Sequence, residues 1–177
     1  MYSASDRGFS LIELLVSLTL LAILISTGVP AVGDLLARQE VLAAHSRLFT
    51  HLNLARTVAI TEGRQTVLCP STDGERCSGG TQWQTGWVAF VDGNRNRTLD
   101  AGERRLRVGR LPEGISVTSS RARRAIRYLP SGASPGSNLT FTVCHEREVA
   151  PRAIVLSNVG RARMSRTRPD GRPLICA

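Results

Sequence analysis

Three patterns of apolar and polar positions follow one another along the chain. From Phe9 to about Val32 the residues are apolar almost without interruption, close to the ~20 that a helix needs to cross a bilayer. From Val32 to about Thr61, Leu35, Leu36, Val41, Leu42, Leu48, Leu52, Ala55, Val58 and Ala59 recur at steps of three and four, with Arg38, Glu40, Arg47 and Arg56 between them. That spacing predicts one amphipathic helix continuing out of the apolar run. Gly28 and Pro30 predict a kink or local melting within it, because proline removes a backbone donor and crowds the preceding turn, and Gly63 suits the left-handed position that ends a helix. Beyond Gly63 the period shortens to that of strands. Gln65–Cys69, Gly86–Val91, Arg105–Val108, Ile115–Ser119, Ala125–Leu129, Leu139–Cys144, Ala153–Ser157 and Gly160–Met164 are short runs rich in branched or aromatic residues, divided by turn-forming stretches such as Ser71-Thr72-Asp73-Gly74. The expected class is α+β, a long helix packed on an antiparallel β domain.

The 177 residues fit one compact domain plus an appended segment. The formal charge of +9 changes the picture more than the length does. Every basic residue is arginine, which a GC-rich coding bias explains as simply as guanidinium chemistry. Its distribution is more telling. Before Arg104 the acids slightly outnumber the arginines, whereas from Arg104 onward 15 arginines face only Glu113, Glu146, Glu148 and Asp170.

Glu13 stands inside the apolar run, where an isolated carboxylate costs at least ~2.5–3.5 kcal/mol and calls for a partner. The run begins too near the N-terminus for an ordinary secretory signal, and the small residue Gly8 precedes it instead of following it. A plain uncut anchor, with Arg7 on the cytoplasmic side, is the bland reading. A cut after Gly8 would instead leave the membrane segment in place and give Phe9 a new α-amino group one helical turn from Glu13. Gly8-Phe9-Ser10-Leu11-Ile12-Glu13-Leu14-Leu15-Val16 resembles the type III signal of type IV pilins and pseudopilins. The resemblance implies that a prepilin peptidase cuts after Gly8 and methylates Phe9, and that Glu13 pairs with the amine of a neighbouring subunit during assembly. It divides the chain into a leader (1–8), a transmembrane and filament-core segment (9–32), an amphipathic continuation (33–62) and a β-rich domain (63–177). It also implies a bacterial inner-membrane protein, crossing once with its C-terminal domain in the periplasm, that later joins a pilus at the cell surface beside major and minor pilins.

The four cysteines suit an oxidising compartment such as the periplasm. Three pairings are possible in principle. Cys69 with Cys77 would close a short loop, and Cys144 with Cys176 would staple the C-terminus to a strand; this is the expected arrangement. Cys69-Pro70-Ser71 through Cys77, then Trp83, Gly86-Trp87, Phe90-Val91-Asp92, Gly102-Glu103 and Gly160-Arg161-Ala162-Arg163, resemble the FimT/GspH group of minor pilins and pseudopilins, and the FimT-type pilins more than the GspH-type pseudopilins of type II secretion. That resemblance implies the type IV pilin fold and, for some FimT-type members, DNA uptake in natural transformation through the GRxR element. Arg161 and Arg163 fall on one face of the expected strand, with Gly160, Ala162 and Met164 on the other. Arg166, Arg168 and Arg172 prolong the basic line, and Arg121, Arg123, Arg124 and Arg127 would widen it if they fold beside it. DNA is thus an expected partner, bound through phosphates without sequence preference.

Asp92, Asn94, Asn96, Thr98, Asp100 and Glu103 occupy the first, third, fifth, seventh, ninth and twelfth positions of a calcium-loop pattern. Against that reading, Arg97 replaces the glycine of the sixth position, three arginines lie nearby, and a strand precedes the loop; a polar hairpin with internal Asp–Arg pairs is the expectation. The cysteine spacings contain no paired CxxC, and His45 and His51 lack metal-ligand spacing and read as surface or half-buried residues, so no metal site or cofactor is expected. No nucleophile, base and orienter fall in a recognisable catalytic context, and His145 adjoins a cysteine expected to be bonded. An enzyme is not expected. Two functions remain: a DNA-binding minor pilin, or a purely structural minor pilin or GspH-like pseudopilin.

Overall fold

The computed structural model describes residues 10–120 and 123–176. One helix, α1, spans Leu11–Glu62. Ser10 opens it, its carbonyl accepting from Leu14 N at 3.1 Å and its hydroxyl from Glu13 N at 3.3 Å. By contact the chain forms two compact units, residues 1–36 and 37–177.

In the first unit, α1 exposes Leu11, Ile12, Leu14, Leu15, Val16, Leu18, Leu20, Leu21, Ile23, Leu24, Ile25, Val29, Val32, Leu35 and Leu36. It is long and apolar enough to cross a membrane. Its hydroxyls are satisfied within the helix: Ser17 Oγ donates to the Glu13 carbonyl (2.8 Å), Thr19 Oγ1 to Val16 (2.8 Å), and Ser26 Oγ and Thr27 Oγ1 both to Ile23 (2.9 and 3.1 Å). Such back-bonding removes the penalty of a bare donor in hydrocarbon. Of the kink or local melting expected at Gly28 and Pro30, the melting does not occur: the helix runs through both. One proline deletes a single i→i−4 bond, and the bonds on either side are enough to carry the helix past it.

In the second unit, α1 buries Ala37, Val41, Ala44, His45, Leu48, Leu52, Ala55 and Ala59. The buried stripe therefore starts at Ala37, and Leu35 and Leu36, grouped with it on spacing, are exposed. Gly63, with φ at +64°, ends the helix. Eight strands follow: β1 Thr66–Pro70, β2 Trp87–Val91, β3 Arg105–Gly109, β4 Ile115–Ser119, β5 Ile126–Tyr128, β6 Leu139–His145, β7 Arg152–Leu156 and β8 Ala162–Ser165. They form two four-stranded antiparallel sheets, ordered β3-β2-β1-β5 and β4-β6-β7-β8. The main core joins the helix stripe to Leu68, Trp83, Trp87, Ala89, Tyr128, Phe141, Val143, Ile154 and Leu156. β1 and β2 are buried on both faces, because Val67, Cys69, Val88 and Phe90 form a second cluster under Cys77, Leu99 and Ala125.

Both disulfides are present, Cys69–Cys77 and Cys144–Cys176, with Cα–Cα distances of 5.6 and 5.9 Å. Polar contacts also lock helix to sheet. His45, read from sequence as surface or half-buried, is buried, because Nε2 donates to the Ala153 carbonyl at 2.9 Å and so keeps a partner inside the core. His51 Nδ1 accepts from Trp87 Nε1 at 3.0 Å. His145 Nδ1 accepts from Arg147 N at 3.0 Å, so its proton lies on Nε2, which donates to Glu40 Oε2 at 3.0 Å.

Candidate functional site

The C-terminal arginines sit on the outer edge of the second sheet. Among the described residues β8 pairs only with β7, in the register Val155↔Arg163 and Leu156↔Ala162. Ala162 turns inward and is buried, while Arg161 and Arg163 are exposed. Met164, on the same side as Ala162, is 46% exposed, since an edge strand has no neighbour to cover it. It borders a groove of about 360 Å³ with Leu42, His45, Ser46, Arg152, Ser165 and Arg166.

Gly160 belongs to the turn before β8 instead of the strand. Its N–H donates to the Ser157 carbonyl at 2.8 Å, and Ser157 N donates to the Arg161 carbonyl at 3.1 Å. Its φ is +80°, and a Cβ there would stand 1.9 Å from the Gly132 carbonyl oxygen. Arg56, on α1, donates from Nε to that carbonyl (3.0 Å) and from Nη2 to the Val159 carbonyl (3.4 Å). The glycine of the GRxR element is thus needed for a close approach of two backbones, and a helix arginine clamps both. Spacing gave no sign of the Arg56 and Gly132 roles, because the two residues are 76 positions apart.

Beyond β8 the tail doubles back. Thr167 bridges to Pro173, Arg168 N donates to the Arg172 carbonyl at 2.9 Å, and the Cys144–Cys176 bond ties the end to β6. A hollow of about 710 Å³ lies between the tail and Thr118, Thr140, Thr142 and Val155 of the sheet's outer face. Arg172 pairs with Asp170 at 3.4 Å. The guanidinium groups of Arg161, Arg163, Arg166 and Arg168 have neither an ion pair nor a hydrogen bond among the described residues.

A second basic group gathers elsewhere. Arg123, Arg124 and Arg127 share a hollow of about 670 Å³ with Arg97, a residue the charge reading did not connect to them, and no acidic residue lines it. Arg123 reaches the loop at Gly136, where its Nη2 would lie 3.3 Å from an added Cβ. Arg121 lies outside the described residues, as do Gly8 and Phe9. Glu13 occupies the first turn of α1, where the helix dipole favours an anion, and has no cationic partner among the described residues. The Asp–Arg pairs expected in the Asp92–Glu103 loop do not form: Asp92 and Asp100 take amide donors from Gln65, Asn94 and Asn96 instead. Among the described residues, no three His, Cys, Asp or Glu side chains converge as a metal site.

Residues 3–29 match the prokaryotic N-terminal methylation motif, and residues 44–160 match the family described as Type II transport protein GspH. No curated protein matches the chain. Among solved structures it is similar to the type IV minor pilin FimU of Pseudomonas aeruginosa, at 20% identity and a TM-score of 0.58 over 72% of this chain and 90% of that one. It is also similar to the minor pseudopilin EpsH from the Type 2 Secretion System of Vibrio cholerae, at 15% identity and a TM-score of 0.51 over 71% of this chain and 96% of that one. A methylation motif on an apolar helix, a helix packed against two antiparallel sheets and a family match over most of the chain agree: the chain belongs to the GspH family and is a GspH/FimT-type minor pilin with the type IV pilin fold.

Proposed function

We propose that this minor pilin binds DNA without sequence preference along its C-terminal arginine edge and serves DNA uptake in natural transformation. The observation that carries the reading is the set of four guanidinium groups, from the end of the turn before β8 through the tail, that have no partner among the described residues. Arg161, at the end of the turn before β8, and Arg163, on β8, are both exposed and lie two positions apart along the chain. Guanidinium forks suit phosphate oxygens and lose little hydration on binding. Arg172, already paired with Asp170, is the weakest member. On this reading a prepilin peptidase removes residues 1–8 and methylates Phe9, the helix anchors the protein in the inner membrane, the disulfide-bonded unit faces the periplasm, and Glu13 meets a neighbouring pilin's amine when the filament forms.

The test is binding of the protein to duplexes of unrelated sequence across a salt series, with Arg161→Ala and Arg163→Ala alongside. Each neutralised phosphate contributes about 0.9 to the slope of log affinity against log salt, so four contacts give roughly −3.6 and each variant a slope shallower by about 0.9. Absence of binding at low salt, or variants that bind as the parent does, would leave the second reading: a purely structural minor pilin or pseudopilin. The same arginines favour that reading to the extent that charge on an exposed edge strand blocks strand-to-strand aggregation.

A further inference from the structure

We propose that the Asp92–Glu103 loop binds a calcium ion, independently of any DNA contact. Asp92, the first position of the pattern, is 1% exposed. Its Oδ2 accepts from Gln65 Nε2 at 2.6 Å and from Arg97 N at 3.1 Å, and the second of these bonds holds the carboxylate turned into the loop. Its Oδ1 is buried with no hydrogen-bond partner among the described residues. A buried carboxylate oxygen left bare is unfavourable, and a hard divalent cation is the partner that oxygen donors such as Asp92, Asn94, Asn96, Asp100, Glu103 and the Thr98 carbonyl would suit.

The sequence objections change once the side chains are placed. Arg97 stands where a glycine is usual, yet it adopts the left-handed backbone that position requires, with φ at +67°, and Arg95 does the same at +64°. Neither arginine pairs with a carboxylate of the loop, and Arg97 lines the basic hollow with Arg123, Arg124 and Arg127. The preceding strand replaces the usual helix as the support, since Asp92 N donates to the Gln65 carbonyl at 2.9 Å. Asn94 Nδ2 and Asn96 Nδ2 donate to Asp100 Oδ2 at 2.8 and 2.6 Å, and Glu103 accepts from the backbone N–H groups of Gly93 and Asp100. Asp92, Asp100 and Glu103 do not converge as they stand, so calcium would draw them together, displacing these amide donors and turning Asn94, Asn96 and Glu103 so that their oxygens face it. That rearrangement and the nearby guanidinium groups place the affinity at the weak end of calcium loops, around 10⁻⁴–10⁻³ M.

The experiment is calorimetric titration of the detergent-solubilised full chain with CaCl₂, and thermal unfolding with and without about 5 mM calcium, magnesium serving as control. Expected are a one-site isotherm, a raised melting temperature with calcium but not magnesium, and at least a tenfold loss of affinity in Glu103→Gln, which keeps the loop's shape and removes one charge. Asn96→Ala, at an exposed position, should weaken binding in the same direction. No heat and no thermal shift in the folded parent at about 10 mM calcium would overturn the proposal. So would variants that titrate like the parent, or an equal response to magnesium.

Discussion

Removing the Cys144–Cys176 bridge tests how the arginine tail is held. The bridge spans 32 positions, so in the chain-entropy account it withdraws about 3.7 kcal/mol of freedom from the unfolded state at 25 °C. The double variant Cys144→Ala/Cys176→Ser avoids a stray thiol. Cys144 is buried and Cys176 exposed, so alanine at the first and serine at the second suit their surroundings. The native state should loosen as well. After Ser165 the tail has, among the described residues, the Thr167–Pro173 bridge and short-range bonds, and Ile175 is 64% exposed, so a released tail regains freedom and the full figure is an upper limit. The expected loss is about 2–3.5 kcal/mol in urea unfolding. Limited trypsin digestion should cut the variant after Arg166 while sparing the parent; Arg168 and Arg172 precede prolines, and trypsin does not cut there. A loss below about 1 kcal/mol together with a trypsin-resistant tail would refute the reasoning, since it would mean that other contacts fix the tail.

Gly160→Ala forces a Cβ to 1.9 Å from the Gly132 carbonyl at a φ of +80°, so strain and overpacking together should cost roughly 2–5 kcal/mol in urea unfolding, and a neutral result would mean that the turn can move aside. The pKa of His45 is lowered by burial and, more weakly, by Arg152, against the opposing bond to Ala153; that of His51 is lowered by burial, then Arg107 and Arg47. The unfolded chain therefore binds protons first, and this share of stability is complete above 6.5 and lost as pH falls from 6.5 through the folded values; His45→Gln should shrink the loss in urea midpoints measured against pH, and stability that rises on acidification would contradict it. Glu13→Ala should leave membrane insertion intact and reduce recovery of the protein in sheared filaments, whereas normal incorporation would make the carboxylate only a first-turn helix charge.

The eight strands were legible because each is a short branched or aromatic run between turn residues, and the structure moves their ends by at most one position except at β8, whose start shifts by two because Gly160 and Arg161 fall in the preceding turn. The helix was legible from its period, although Pro30 could not be weighed: a sequence shows the donor lost, while the neighbouring bonds that carry the helix past it depend on the whole segment. His45 was misjudged for a related reason. Its core position is tolerable only because the Ala153 carbonyl, 108 residues away, meets its ring, and no local pattern reports such a partner.

The arginines divide in the same way. A two-residue period, a local property, set Arg161 and Arg163 on the exposed side away from Ala162, and both are exposed although only Arg163 lies within β8. Arg97 joins Arg123, Arg124 and Arg127 only because loops of distant sequence meet over the first sheet. Composition located the charge in the C-terminal half, but the fold separates it into an exposed edge and a concave hollow, and the two differ in what they can hold. An edge strand offers successive guanidinium groups to a long ligand, as a phosphate backbone requires. A hollow holds its charges around one point. The salt slope can therefore tell them apart: loss of Arg161 should lower it by one contact, whereas loss of Arg123 should leave it unchanged unless the DNA path also enters the hollow.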